Sequence, residues 1–547
     1  MQLFGTDGIR GRFALSRSDD EAVIEALIEH REISPRLFRL IGEGLGAMMD
    51  YETVVVIGWD QRPGNPALVS ALTQGFHLRG ILVIWAGEVA TPGLQASLLH
   101  KGAAMGCMVT ASHNPVTDSG VKVFDRYGYK SMPEYEVQVS EIIAKLAREE
   151  REVDEPELQR LAIPDSEFDG GAVHREMLER RFSLLEDCFA GSAESHSDGD
   201  VSSLPDGGLA IDTSGGSAEG WLVDWLNAKG IPAHAVASPV AMNVNCGAGE
   251  FSPSDEWTWE QLQSNAGEHL LLTHLTERCR DGVPAGWQVG GIVAAALDGD
   301  GDRCLLIEVT STGLRIFDGD RMADALLRAG GESWCLAASI EADLGLPVDI
   351  QTAVGDRWLS AALSPPIGQS VRLLLMDETP PVIGCEDSGH LVLAAPHPRL
   401  DEHWSLVGDG IASLLAVLAA QRRLSGLSKG GFERGWKRRI SVVGVERTRW
   451  DGKNTIADMV EEITRRTITG WGMVENWRRT DIQGETSLLL LEAEVDGFSM
   501  SVGIRNSGTE AKTNVSIRLA PQIMGLSEPA TVLLGEIERI LQRELVV

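Results

Sequence analysis

The sequence predicts an α/β fold: three consecutive α/β units, with mixed sheets and helices on both faces, then a smaller C-terminal α+β unit. Three observations carry this. Apolar runs of strand length, each closed by a polar or glycine-rich turn and followed by a helical stretch, recur from about residue 53 to 428. From about residue 430 short strands and two helices mix without strict alternation. The 547 residues are enough for about three to five domains, each able to bury its own core.

Taken in order, GTDGIRG at 5–11 is a glycine-spaced loop, and a charged helical stretch covers roughly 18–50. TVVVIGWDQRP (53–63), ILVIWAGEVATPG (81–93) and GAAMGCM (102–108) read as buried strands ending in loops, at spacings that suit right-handed βαβ units. Residues 134–195 are charged and helical, with MLERRFSLLEDCF (177–189) as an apolar core stripe. The segment 191–208 is poor in apolar residues and reads as a mobile surface loop. Strand, Gly-Ser loop and helix restart at 208–231, while 240–290 shows no dependable period. GGIVAAALDGDGDRCLLIEV (290–309), TAVGDRWLSAAL (352–363), VIGCEDSGHLVLA (382–394) and GDGIASLLAVLAAQRRL (408–424) continue the α/β pattern. The expected divisions are 1–168, 169–288 with a Gly/Ser-rich insertion, 289–428 and 429–547.

A net charge of -32, with no basic stripe to offset it, argues against a nucleic-acid partner. Any phosphorylated ligand must then find a locally positive cleft in an acidic shell. Seven scattered cysteines without a CxxC pair fit a reducing compartment better than a disulfide framework. No cleavable leader and no apolar run of membrane-spanning length is evident, so the expected location is cytoplasmic, without a membrane partner.

Five loops carry candidate chemistry. VTASHNPVTDSGVKVF (109–124) offers a hydroxyl nucleophile, Ser112, with His113 beside it and Lys122 ten residues on. Alone, this is also ordinary turn chemistry. In GTDGIRG, Arg10 sits between small residues, where glycines let backbone approach an anion. DGDGDR (298–303) places Asp298, Asp300 and Asp302 at every second position after an apolar strand, so an extended chain would point all three carboxylates one way. Three carboxylates with open positions suit Mg²⁺ touching a phosphate oxygen, and Arg303 beside them could grip the phosphoryl group. An EF-hand calcium loop is excluded, since it needs Gly at Arg303 and Glu at Val309. GCEDSGH (384–390) brings Glu386, Ser388 and His390 onto one turn, where carboxylate and hydroxyl could read adjacent sugar hydroxyls. RNSGTEAKTN (505–514) gathers Arg505, Ser507, Gly508, Thr509 and Lys512, an anion-binding nest or else a hairpin with a basic rim.

In this order and spacing, FGTDGIRG, TASHNP…SGVK, DGDGDR, GCEDSGH and RNSGTE make the chain resemble the α-D-phosphohexomutases over nearly its whole length. The resemblance implies four domains around a central cleft. It also implies an isomerase that interconverts hexose 6-phosphates and 1-phosphates through a phosphoserine and a hexose bisphosphate, which serves as intermediate and activator. Ser112 would carry the phosphoryl group, and Asp298, Asp300 and Asp302 would bind one Mg²⁺ per subunit together with it. Arg10, His113, Lys122 and Arg303 would surround the transfer, with Lys122 as general acid/base. Glu386, Ser388 and His390 would contact the sugar, while Arg505, Ser507, Gly508 and Thr509 would hold the phosphate not being transferred. FGTDGIRG, NVNCGAG (243–249), VGDRW (354–358) and SGTE are most similar to members that convert glucosamine 6-phosphate to glucosamine 1-phosphate. The alternative is a phosphoglucomutase/phosphomannomutase; a metal-dependent phosphatase and a non-catalytic relative are the remaining readings. The chain departs from the family at Asn506 and Ala511, where prolines are usual, and at Thr513-Asn514, where an arginine is common. Extra sequence is expected near 15–35, 191–208 and 250–285. The partner is a small sugar phosphate, and the protein a monomer or homodimer.

Overall fold

The computed structural model describes all residues except 1–2, 6, 16–18, 150–154, 190–203, 265–266, 280–282, 367–371, 426–431, 508–510 and 547. Most of the loop expected at 191–208 therefore lies outside the described residues.

Four sheets organise the described residues. The first has seven strands, with Met105–Val109 and Val54–Trp59 at its middle. Val54–Trp59 runs parallel to Met105–Val109 and to Leu82–Glu88, while Asp118–Asp125 returns antiparallel beside Met105–Val109. Met105–Val109 is buried at all five positions, which is why it reads as an unbroken apolar run and not as an alternating one. Ser34 caps the helix Pro35–Gly46, whose N-terminal proline is already set for helical φ.

The second sheet holds Leu209–Asp212, Ala233–Ala235, Glu256–Thr258, Ile292–Leu297, Cys304–Val309 and Gly313–Phe317. Ile292–Leu297 pairs in parallel with Leu209–Asp212. The division expected at 288/289 therefore cuts this sheet, and by sheet membership the third unit begins after Phe317. The strand, turn and helix at 290–330 look like one βα unit in sequence; their strands are in fact the completion of the preceding sheet. The third sheet is mixed and includes Cys335–Ser339, Val382–Cys385 and Leu391–Pro396. The fourth, from Trp436–Val443 to Val474–Arg479, is wholly antiparallel.

One continuous apolar cluster, from Leu178 to Leu424, joins the second and third units. The helix Gly410–Ser425 is apolar all round because it runs inside this cluster, packed on the helices Gly170–Phe189 and Gly319–Gly330. Gly170–Phe189 is more than the core stripe expected of it. His174 and Arg181 lie within it, buried, and both reach the Asp409 carboxylate, at 3.3 and 3.0 Å. The fourth unit has its own core, closed by the C-terminal helix Ser527–Leu545. Among the described residues no helix is long and apolar enough to cross a membrane.

Candidate active site

Ser112 stands just past the end of Met105–Val109, buried, with φ of 55°. Its Oγ donates to Asp298 Oδ2 at 2.6 Å, and its amide to Thr110 Oγ1 at 2.9 Å. Residues that sequence reasoning did not single out hold the loop in place. The buried Arg62 guanidinium donates to the carbonyls of Ser112 (2.6 Å), Asn114 (3.0 Å) and Asp118 (2.8 Å), and pairs with Asp60 at 3.0 Å. Asn243, from the second unit, donates to the Ser112 and Asn114 carbonyls as well. The polar turn DQRP after an apolar strand was the available signal for Asp60 and Arg62.

The three aspartates converge, but not on an extended chain. Residues 299–302 form a turn in which the Gly301 amide donates to the Asp298 carbonyl at 3.1 Å and Gly301 takes φ of 73°. A Cβ at Gly299 would stand 3.0 Å from the Ser112 carbonyl, so glycine lets the two loops touch. Ligand atoms of Asp298, Asp300 and Asp302 lie within 4.8 Å of one another, all buried. Lys122 Nζ donates to Asp300 Oδ2 and Asp302 Oδ2, both at 2.6 Å, and stands 3.4 Å from Asp7. Thr91 Oγ1 donates to Asp300 as well.

Burial, the carboxylates of Asp302 and Asp300 adding to it, pushes Asp298 up to about 7. Burial would raise Asp300 and Asp302 too, but the Lys122 ammonium holds both below the ordinary carboxylate range. Burial opposes the charge on Lys122; Asp300, Asp302 and Asp7 overcome it and raise its pKa well above normal. The Arg303 guanidinium, then burial, drives His113 down to about 3, so its imidazole is neutral. Asp300 Oδ1 and Asp302 Oδ1 are buried without a hydrogen-bond partner among the described residues. Two orphaned carboxylate oxygens beside a third carboxylate are the donor set of a hard divalent cation, and the residues fit one.

A second charged layer covers the first. Lys130 lies 2.9 Å from Asp7 and 2.8 Å from Asp356, and the His390 ring is 3.1 Å from Asp356. Asp7, Lys130 and Asp356 escaped the sequence reading, although Asp7 and Asp356 sit in the flagged segments GTDGIRG and VGDRW. The 384–390 turn seats on the end of the 298–303 loop through the Cys304 amide, which donates to the Gly389 carbonyl at 3.1 Å. Glu386 accepts from the Gly355 amide at 2.5 Å, with Ser388 Oγ at 3.5 Å. Arg505 reaches Glu341 Oε1 at 3.2 Å, and the Ser507 amide donates to the Lys512 carbonyl at 2.9 Å.

Arg10, His113, Arg303, Glu386, His390, Arg505 and Ser507 line one cleft of about 1300 Å³. Ser112, Lys122 and the aspartates lie behind this lining, linked to it where Lys122 stands 3.4 Å from Asp7 and the Arg303 amide donates to Asp298. Ser388 is not among the lining residues, and Gly508 and Thr509 lie outside the described residues.

Residues 1–150 match the family model for phosphoglucomutase/phosphomannomutase, alpha/beta/alpha domain I. A phosphoglucosamine mutase of Afipia carboxidovorans is 27% identical over 440 residues, covering 77% of this chain and 79% of that protein. Over most of its length the chain is thus similar in sequence to phosphoglucosamine mutases, and over residues 1–150 to the phosphoglucomutase/phosphomannomutase family. Two solved structures share the fold over almost the full length. Parafusin, a phosphoglucomutase of Paramecium in its open form, aligns with a TM-score of 0.59 at 16% identity, covering 99% of this chain and 95% of that one. The N-acetylphosphoglucosamine mutase of Aspergillus fumigatus, in complex with GlcNAc-6P and magnesium, aligns with a TM-score of 0.51 at 14% identity, covering 100% and 96%.

Proposed function

We propose that this protein is a phosphohexomutase that converts glucosamine 6-phosphate to glucosamine 1-phosphate, with Ser112 as the phosphoryl carrier. The observation that carries the mechanism is the 2.6 Å contact of Ser112 Oγ with Asp298, within a buried carboxylate triad that Lys122 touches. The preference for glucosamine rests on the relative's name and on the motifs shared with that subgroup.

Phosphoserine 112 gives its phosphoryl group to the free hydroxyl of the sugar phosphate. The bisphosphate turns over, and the serine takes back the other phosphoryl group. Asp298, Asp300 and Asp302 would hold a Mg²⁺, which when bound neutralises charge on the transferring group. Lys122, kept charged by its carboxylates, donates the proton at the oxygen that leaves and recovers one from the attacking hydroxyl. Arg10 and Arg303 steady the phosphoryl oxygens from the cleft side, and neutral His113 offers a hydrogen bond without adding charge. Glu386 and Ser388 read the sugar's hydroxyls in both orientations, while Arg505, Ser507 and the adjoining loop hold the second phosphate.

The test is ³¹P NMR of the purified protein with Mg²⁺ and a trace of hexose bisphosphate. Glucosamine, glucose and mannose 6-phosphates are offered separately. Fastest formation of the 1-phosphate from glucosamine 6-phosphate is expected. A preference for glucose or mannose would overturn the substrate reading, and release of inorganic phosphate alone would overturn the mutase reading.

A further inference from the structure

On the fourth sheet, Trp436–Val443, Lys512–Leu519 and Phe498–Asn506 lie side by side, with Lys512–Leu519 in the middle. Ser441, Asn514 and Arg505 form one cross-strand row, and Arg439, Ser516 and Gly503 form the next. Side chains two residues apart share a face, so Arg439 and Arg505 rise from the same face, on outer strands, with only small or neutral residues between them. Arg439, Arg505, Ser507 and Lys512 line the same cleft.

One carboxylate touches both guanidinium groups. Glu341, from the loop after Cys335–Ser339, accepts from Arg439 Nη1 through Oε2 at 2.6 Å and from Arg505 Nη2 through Oε1 at 3.2 Å. Glu341 is 12% exposed, whereas Arg439 keeps 48% of its side-chain surface. Lys437, two residues before Arg439 on the same face, is committed elsewhere, to Asp320 at 2.6 Å and Asp387 at 2.7 Å. Among these side chains Arg439 is the cation with room to take a ligand's anion.

We propose that Arg439 joins Arg505 as the seat of the substrate's anchored phosphate, and that Glu341 is an intramolecular rival for that seat. The inference rests on the phosphohexomutase reading and adds a residue that the 505–514 loop does not contain. A phosphate that displaces Glu341 keeps both guanidinium groups satisfied by oxygen pairs. It also removes a contact between the third and fourth units, so binding and relative movement of those units are linked.

Isothermal titration of the full-length protein with glucosamine 6-phosphate and with inorganic phosphate tests this, alongside steady-state kinetics. Arg439→Gln should weaken both ligands about tenfold and raise KM by a similar factor, with kcat changed less than about twofold. Glu341→Gln should tighten both ligands about three- to tenfold, because a neutral amide competes less well for two cations. Arg438→Gln, on the opposite face of the strand, should leave both affinities within about twofold. Unchanged affinity in Arg439→Gln, or weaker binding in Glu341→Gln, while the wild type still turns over, overturns this inference and leaves the mutase reading standing. No binding and no turnover in the wild type overturns both.

Discussion

At the end of the cleft proposed for phosphoryl transfer, Ser112, Lys122, Asp298, Asp300 and Asp302 are each at most 1% exposed and bonded to one another across the first and second units. At the anchoring end, Arg439 remains 48% exposed, and the fourth unit meets the third through ion pairs such as Lys437–Asp320 and Arg434–Asp318. Burial at the first end makes each charge depend on its partner. At the second, solvent and salt can substitute for the partner of Arg439. Fixed groups at one end and an exchangeable grip at the other would suit the proposed reaction, whose intermediate must turn around between two transfers.

The comparison is broken most severely at the serine. Ser112→Ala should lower turnover by more than about 10⁴-fold with unchanged far-UV circular dichroism, since a loop hydroxyl adds little packing. Near-normal activity would remove the phosphoserine. Next, Lys122→Gln should lower kcat about 10²- to 10⁴-fold and leave KM much less affected, as steady-state kinetics would show. Equal changes in both would place Lys122 in binding instead.

A stability test sharpens the same contrast away from the chemistry. Burial would raise Asp409, but His174 and Arg181 hold it below the ordinary range. Its pairing therefore stabilises the fold above about pH 4, the unfolded carboxylate value, and is lost as the pH falls through the lower folded value. Asp409→Asn leaves Arg181 buried without its carboxylate and should cost about 3–5 kcal/mol at pH 7, read by urea denaturation. The difference from wild type should shrink below pH 4. The smallest effect belongs to the anchoring end. Raising salt from about 0.05 to 0.5 M should raise KM severalfold and leave kcat nearly unchanged, because only the open grip is screened. A matching fall in kcat would mean that the two ends are not so different.

Much of the transfer end was legible in the sequence. Ser112, Lys122 and the three aspartates stand in short motifs with local spacing, and the fold class followed from apolar runs alternating with helical stretches. What escaped were partners fixed only by the tertiary fold. Arg62 looks like part of a turn until it is seen donating to four carbonyls of another loop. Lys130 and Asp356 meet from different units. The division at 288/289 failed because strand order is not sequence order: Ile292–Leu297 inserts beside Leu209–Asp212, joining an earlier sheet. The aspartates converged for a reason the alternating pattern did not give, a turn closed at Gly301. Arg439 carried no motif, and only strand register places it beside Arg505.

The left-handed backbone of Ser112 narrows what selection can place there. A non-glycine residue at such a φ is disfavoured by about 1–2 kcal/mol, and a β-branched one by more, so threonine is barred from this position although it carries the same hydroxyl. Glycine would fit the backbone best and would abolish the nucleophile. A descendant released from catalysis should therefore drift toward glycine at 112 and shed that strain, whereas one that carries out the proposed reaction keeps serine, the less strained of the two aliphatic hydroxyl residues.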